Sequence, residues 1–442
     1  MSVATATWRQ ALDAARPQRS GTVTSVLGLG AEVTGIDAAV GDHVRIEVPQ
    51  GRSIDAEVVA VDGGSARCMP LGPLAGITAR ARVLHTGSRL QVPTGRALLG
   101  RVLDGLGRPI DGKGPLGSTV TFSPLDHEPP SILQRQRIDT QLGLGVRVLD
   151  TMTPVGTGQR LGLFAGSGVG KSSLMSMIAR GSTADVTVIA LVGERGREVR
   201  EFLEDDLGPE GLARAVVVVA TSDQPAMVRM RSAFVATRIA EAFRDDGANV
   251  MLMMDSLTRV AMAQREIGLS AGEPPATRGY PPSTFSVLAR LLERAGTGPV
   301  GSVTGLYTVL VDGDDHNEPI ADAARGILDG HVVLDRALAV RGHFPAVDVL
   351  GSISRVVSKI TTAEQRAHAV RLRSVLAARR SANDLIDIGA YRQGANPLVD
   401  AALSHEESIS GFLTQSMDDL TGAEESWRRI AELTNDFGGL IP

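Results

Sequence analysis

The sequence predicts an α/β protein in three parts: a small N-terminal β-barrel, a parallel sheet buried on both faces by helices, and a helical C-terminal domain. Three observations predict it. Short alternating runs separated by glycine fill residues 21–92. Through the middle, nearly uniform apolar runs alternate with segments of helical periodicity, the mark of a parallel sheet covered on both sides. After Ile360 the pattern is helical to the end. A chain of 442 residues, 43% of them hydrophobic, has length for two or three such units.

The elements follow in order. Residues 1–20 form a lead-in in which Trp8, Leu12 and Ala15 fit one helical face. In Asp42–Val48, Val44, Ile46 and Val48 alternate with Arg45 and Glu47, which predicts a half-buried strand. Ile54–Val61 and Arg80–Leu84 have the same character, and Asp62-Gly63-Gly64 reads as a turn. Several short strands at this spacing suggest a barrel over 21–92. From Pro93 to Gly117 the chain is a glycine and proline track, read here as a domain boundary. A core domain over 93–360 holds the apolar runs Leu161–Ala165, Val186–Val192, Ala215–Ala220, Val250–Asp255, Leu306–Val311 and His331–Leu334. Between them Phe234, Ile239 and Phe243 share a helical face. In 361–442, Thr361-Thr-Ala-Glu364, Ser404-His-Glu-Glu407 and Thr421-Gly-Ala-Glu424 read as capping boxes, each a hydroxyl followed three residues later by Glu.

Composition narrows the function classes. Lys plus Arg is 45 against 50 for Asp plus Glu, a balance that disfavours a dedicated DNA binder. Aromatics at 3% disfavour base-stacking platforms. Cys68 is the one cysteine, so neither an intrachain disulfide nor a Cys-based metal cluster can form. No signal-peptide core follows the N-terminus, and runs such as Ala215–Ala220 are far below the ~20 residues of a membrane span. The expectation is a soluble cytoplasmic protein.

Residues 161–172 read Leu-Gly-Leu-Phe-Ala-Gly-Ser-Gly-Val-Gly-Lys-Ser, an apolar strand entering a glycine-rich turn and then an amphipathic helix. Glycines there let consecutive backbone N–H groups face phosphate oxygens, and the helix N-terminus adds its dipole. Lys171 is positioned for the β- and γ-phosphates, and the Ser172 hydroxyl for Mg²⁺. Ala165 stands where the strict pattern has its first glycine. Two carboxylates close apolar runs. Asp255 fits the Mg²⁺ shell, or the cap of the next helix, and the two roles can coexist. Glu194 is expected on a strand adjacent to the phosphate-loop strand, where it orients or deprotonates the attacking water; the alternative is a solvated Glu at a helix start. Its neighbour Arg195 pairs either with the γ-phosphate or with a carboxylate.

On these motifs the chain resembles the hexameric RecA-like ATPases related to the α and β subunits of rotary ATP synthases. Within them it is similar to the flagellum-specific type III export ATPase (FliI) family, from about residue 20 to the end. The resemblance is carried by Phe164-Ala-Gly-Ser-Gly-Val-Gly-Lys-Ser172, Gly193-Glu-Arg-Gly-Arg-Glu198 and Asp255-Ser-Leu-Thr-Arg259. It is also carried by Gly272-Glu-Pro-Pro-Ala-Thr-Arg-Gly-Tyr-Pro-Pro282, Gly313-Asp-Asp-His-Asn-Glu-Pro319 and Pro345-Ala-Val-Asp-Val-Leu-Gly-Ser-Ile-Ser354. The resemblance implies a RecA-like core hydrolysing ATP with Mg²⁺. Nucleotide would be held by Ala165, Gly166, Ser167, Gly168, Val169, Gly170, Lys171 and Ser172, and the metal by Ser172 and Asp255.

It further implies Glu194 as the water-activating residue, with Arg195 and Arg259 organising the γ-phosphate. Arg355 matches the arginine finger that enters the neighbouring subunit's site. Phe344 matches the residue stacked on adenine, and Met417 lies on the other side of the base. One chain carrying both Glu194 and Arg355 makes a ring of identical subunits complete, and the resemblance supplies a homohexamer. Implied partners are a dimeric regulator at the N-terminal segment, a coiled-coil stalk in the ring pore facing Gly268–Pro282 and Gly313–Pro319, the export gate, and export substrates or chaperones. Nucleic acid is not expected. Implied placement is cytoplasmic and peripheral, at the export apparatus on the inner face of the membrane; the arginines of Arg366–Arg380 meet acidic lipid or a partner, or form a solvated helix face. Alternatives are an injectisome ATPase, a rotary synthase catalytic subunit, a hexameric RNA helicase and a non-catalytic ring component.

Overall fold

The computed structural model describes residues 19–311 and 318–437. The segment with Trp8, Leu12 and Ala15, and most of Gly313–Pro319, lie outside the described residues.

Six strands close a barrel in the order Ser20–Leu27, Gly30–Thr34, Ser65–Pro70, Arg52–Asp62, His43–Val48 and Arg82–His85, which returns to the first. Val44, Ile46 and Val48 point inward as the alternation predicts. The strands that sequence patterning missed, such as Ser65–Pro70, place Ala66 and Cys68 in the same interior.

The central sheet runs Ile353–Ser354, Gly330–Val333, Arg160–Ala165, Ser302–Leu310, Asn249–Asp255, Val186–Glu194, Ala215–Thr221, Val102–Asp104. Every pairing from Gly330–Val333 onward is parallel, and Ile353–Ser354 adds antiparallel at one edge. The uniform apolar runs have a direct cause. In Val186–Glu194, Val188, Ala190 and Val192 enter the core on one face, and Ile189 and Leu191 the core on the other. The helix Ala226–Asp245 covers the first face with Phe234, Ile239 and Phe243, all buried. The glycine and proline track holds a strand: Val102–Asp104 pairs with Ala215–Thr221 and forms the second sheet edge, with Leu103 fully buried. Too short for an alternation signal, it is recruited by tertiary pairing.

Four helices follow in the C-terminal region: Ala363–Asp387, Pro397–Ser404, Glu406–Leu413 and Ala423–Asn435. One capping box forms, a residue later than expected. The Thr362 hydroxyl accepts from the Gln365 N–H, and the Gln365 side-chain oxygen accepts from the Thr362 N–H. The Ser404 box is corrected: Ser404 ends one helix, and His405 precedes the next without a side-chain cap. The Thr421 box is also corrected. Gly422 is the N-cap there, and the Thr421 hydroxyl is taken by Asp419 and Arg147. The arginines of the long helix are largely engaged within the chain. Arg373 donates to the carbonyls of Val349 and Met152, Arg380 pairs with Asp348, and Arg379 pairs with Glu406. Among the described residues, no helix is long and apolar enough to cross a membrane.

Candidate active site

The strand Arg160–Ala165 feeds the loop Gly166–Gly170, and the helix Lys171–Gly181 follows directly. Gly168 and Gly170 have φ of +76° and +90°, a region where a side chain is strained. Val169 between them is buried in the core and anchors the loop, while Ser167 and Gly168 are exposed above it. Ala165 is buried at the strand end, at the position where the strict pattern has glycine.

Lys171 is held between two carboxylates. Its Nζ is hydrogen-bonded to Asp255 Oδ1 and lies 3.8 Å from Glu194 Oε1. Asp255 also accepts a 2.7 Å hydrogen bond from the Thr308 hydroxyl. Asp255 does not cap the next helix; Ser256 does, accepting from the Arg259 N–H at 3.3 Å. The expected adjacency of the Glu194 strand is corrected. Val186–Glu194 stands three places from the phosphate-loop strand, with Ser302–Leu310 and Asn249–Asp255 between them. Lys171 spans the gap because its helix starts at the sheet's C-terminal edge, where all four of these parallel strands end.

Burial, with the Asp255 charge, pushes Glu194 up to about 7 against the pull of Lys171. A hydrogen bond links Glu194 to Glu198, one helical turn on; that bond and Arg195 hold the Glu198 carboxyl below its ordinary range. Ser172, Glu194, Glu198 and Asp255 line a cavity of about 130 Å³. Sequence reasoning quoted Glu198 without giving it a role; its i, i+4 offset from Glu194 at a helix start was the available signal. Arg195 is mostly exposed and pairs with Glu198 at 3.2 Å. Arg259 packs over Gly193, where a Cβ would stand 3.1 Å from the Arg259 Cβ; its buried Nε has no partner.

Phe344 lies against the other side of the loop, with its ring 3.3 Å from where a Gly170 Cβ would be. It borders a cleft of about 350 Å³ with Arg147, Gly342, Thr414, Gln415, Ser416 and Asp419. Met417 is not among the residues lining that cleft; it packs half-buried on the core, and its carbonyl accepts from Arg180 at 2.7 Å. Gln415 was missed, and no local motif marks it: its backbone N–H donates to the Phe344 carbonyl at 2.9 Å across a long chain separation.

Arg355 is nowhere near this loop. It follows the edge strand, whose Ser354 pairs with Gly330, level with the start of the phosphate-loop strand. Five strand spacings separate that edge from the Glu194 strand, about 24 Å. The guanidinium is exposed and donates to the Arg325 carbonyl at 3.1 Å.

Comparison with known proteins agrees with this architecture. A model of the ATP synthase α/β family nucleotide-binding domain matches residues 145–354, and that family's β-barrel domain matches 19–87. A model of the T3SS EscN ATPase C-terminal domain matches 361–432. The flagellum-specific ATP synthase of Bacillus subtilis is 52% identical, covering 95% of this chain and 96% of its own. A type 3 secretion system ATPase of Xanthomonas euvesicatoria is 47% identical, covering 95% of each. The structure of the assembled ATPase EscN from the enteropathogenic E. coli type III secretion system superposes with a TM-score of 0.89 at 43% identity, over 94% of this chain and 100% of that one. EscN in complex with its central stalk EscO gives a TM-score of 0.87, also at 43% identity and with the same coverage.

Proposed function

The chain belongs to the type III export ATPase branch of the ATP synthase α/β family, and on that premise we propose that each of its active sites is completed by Arg355 of a second copy. The observation that carries this reading is the position of Lys171. Lys171 gathers the carboxylates of Asp255 and Glu194 at the C-terminal edge of the sheet, while Arg355 follows the edge strand five places from the Glu194 strand.

The loop amides and Lys171 take the β- and γ-phosphates. Ser172 and Asp255 would hold Mg²⁺, and the cavity they share with Glu194 and Glu198 fits an ion with its water shell. Bound there, Mg²⁺ neutralises phosphate charge. Glu194 accepts the proton of the attacking water, for which a carboxyl raised toward neutrality is suited. Glu198, held by Arg195, keeps Glu194 oriented. Arg259 and the incoming Arg355 stabilise charge developing on the γ-phosphate, a contribution on the order of 10³–10⁵ in rate where an arginine finger acts. Adenine lies beside Phe344 over the cleft of Gln415 and Thr414, and Met417 has no place in that lining.

The assembly proposed is a homohexameric ring, with Gly268–Pro282 facing a central stalk and the N-terminal segment bound to a dimeric regulator near the membrane. Flagellar export is the system proposed, on the 52% identity to the flagellum-specific ATP synthase of Bacillus subtilis; other flagellar and secretion-system relatives overlap at 46–49%. Restoration of motility to a flagellar ATPase deletion strain by this chain tests that choice.

The site itself is tested by Glu194→Gln. Nucleotide affinity is expected to hold within about twofold while turnover falls by 10²-fold or more. Turnover near the wild-type rate removes Glu194 from the mechanism.

A further inference from the structure

Ile132 and Leu133 are 86% and 96% exposed, side by side on a short turn. The turn is rigidly presented. Arg135 donates to the carbonyls of Glu293, Ala295 and Pro130 at 2.8, 3.2 and 3.3 Å. Gln136 donates to the Pro299 carbonyl at 2.8 Å, and the Thr297 hydroxyl donates to the Gln136 carbonyl at 2.6 Å. Two neighbouring aliphatic side chains fixed in water by five hydrogen bonds are unfavourable for an isolated chain.

The turn belongs to the Arg355 end of the molecule. Ile138, a few residues on, packs with Val356 and Ile360 around Gly156, directly after Arg355. Ile353, beside Arg355, is also half exposed. The chain thus runs within a few residues from the Ile132–Leu133 turn, anchored on Glu293–Pro299, to contact the segment after Arg355.

The receiving face is set by the same requirement, since it must carry Glu194. The segment after Glu194 forms a hollow of about 640 Å³, in which Leu203, Pro209 and Leu212 face Leu99 and Val102 of the opposite sheet edge. Charge matches as well. Residues 131–137 carry Arg135 and Arg137 and no acid, while 201–210 carry Glu201, Glu204, Asp205, Asp206 and Glu210 and no base, so the rim of the hollow is net acidic despite Lys113 in its lining. Different patches meeting head to tail generate a ring when the rotation closes.

We propose that Ile132 and Leu133 form a knob that seats in the Leu203–Leu212 hollow of a second copy of this chain, docking the interface across which Arg355 acts. The proposal rests on the reading of Arg355 given above, and its tests are read by mass and covalent linkage as well as by activity. The double variant Ile132→Ser with Leu133→Ser changes only exposed side chains, so the fold and melting temperature are expected to stay. Assembly by light scattering, and the rise of specific ATPase activity with protein concentration, are expected to move to at least tenfold higher concentration, with the same plateau turnover. An unchanged assembly curve overturns the knob.

The hollow has its own test. A chain carrying Leu133→Cys and Leu212→Cys, oxidised mildly, is expected to give a ladder of covalent oligomers on a denaturing gel; buried Cys68 does not compete. Assembly without a ladder overturns the pairing. Arg355→Ala with wild-type turnover overturns the shared site instead, and it leaves the scattering and gel results standing.

Discussion

Glu241 is fully buried and still charged. Burial works to raise its pKa, but hydrogen bonds from Arg294 and the nearby His127 ring, 3.3 Å away, outweigh it and hold the carboxyl below its ordinary value. Arg294 meets it bidentately at 2.8 and 2.6 Å. Removing one partner leaves an uncompensated buried charge, so Glu241→Gln is expected to lose about 3–5 kcal/mol of unfolding free energy by denaturant titration; a loss below about 1 kcal/mol contradicts the pairing. Such residues define what a sequence hides. Gly168, Gly170 and Lys171 were legible because the requirement for positive φ and a helix-start lysine is local. Asp255 and Glu194 were legible because each closes an apolar run. Gln415 and the Glu241 pair depend on residues far along the chain, and nothing in their local pattern distinguishes them from solvated polar side chains; Glu198 carried only the weak local signal of its offset from Glu194.

At the scale of elements, strands buried on both faces were read closely and helix starts were not. A fully buried strand has one sequence solution, an unbroken apolar run, and Val186–Glu194 displays it. A cap is a competition between nearby hydroxyls and amides. Thr362 won over Thr361, and Thr421 was drawn away by Arg147. That arginine joins elements remote in sequence. Buried at the start of the helix Arg147–Met152, it donates to Asp419 at 2.6 Å, Thr421 at 3.0 Å and the Phe412 carbonyl at 3.3 Å, and its own N–H donates to Gln415 Oε1 at 2.9 Å. The cleft beside Phe344 is thus built by a clasp between core and C-terminal helices. With adenine placed beside Phe344 as proposed, loosening the clasp is expected to affect nucleotide binding before chemistry. Arg147→Ala is expected to raise the ATP KM about tenfold, about 1.4 kcal/mol, with kcat within about threefold. It is also expected to speed proteolysis of the 405–437 region. A fall in kcat alone, with KM unchanged, contradicts this assignment.

For the whole molecule the governing fact is that the Glu194 strand and the edge strand before Arg355 stand five places apart in one sheet. The barrel does not alter their separation, since it is locked to the core by the Glu57–Arg231 and Asp55–Arg108 ion pairs. On the proposed roles, a single copy holds its base and its finger five strands apart, so neither serves the other. Glu194→Gln chains keep a working finger, and Arg355→Ala chains keep a working base. Each alone is expected to be inactive at any concentration. Mixed in equal amounts and allowed to exchange, they form rings in which about one interface in four joins an intact Arg355 to an intact Glu194. Recovery of up to about a quarter of the wild-type specific activity is then expected, rising from zero with the time of exchange and falling as either variant dominates the mixture. A chain whose site were complete within one copy has no route to recovery, because each variant lacks one of its two groups in every molecule. Activity that stays at the sum of the two separate variants, in mixtures whose exchange is confirmed by mass, removes the shared site.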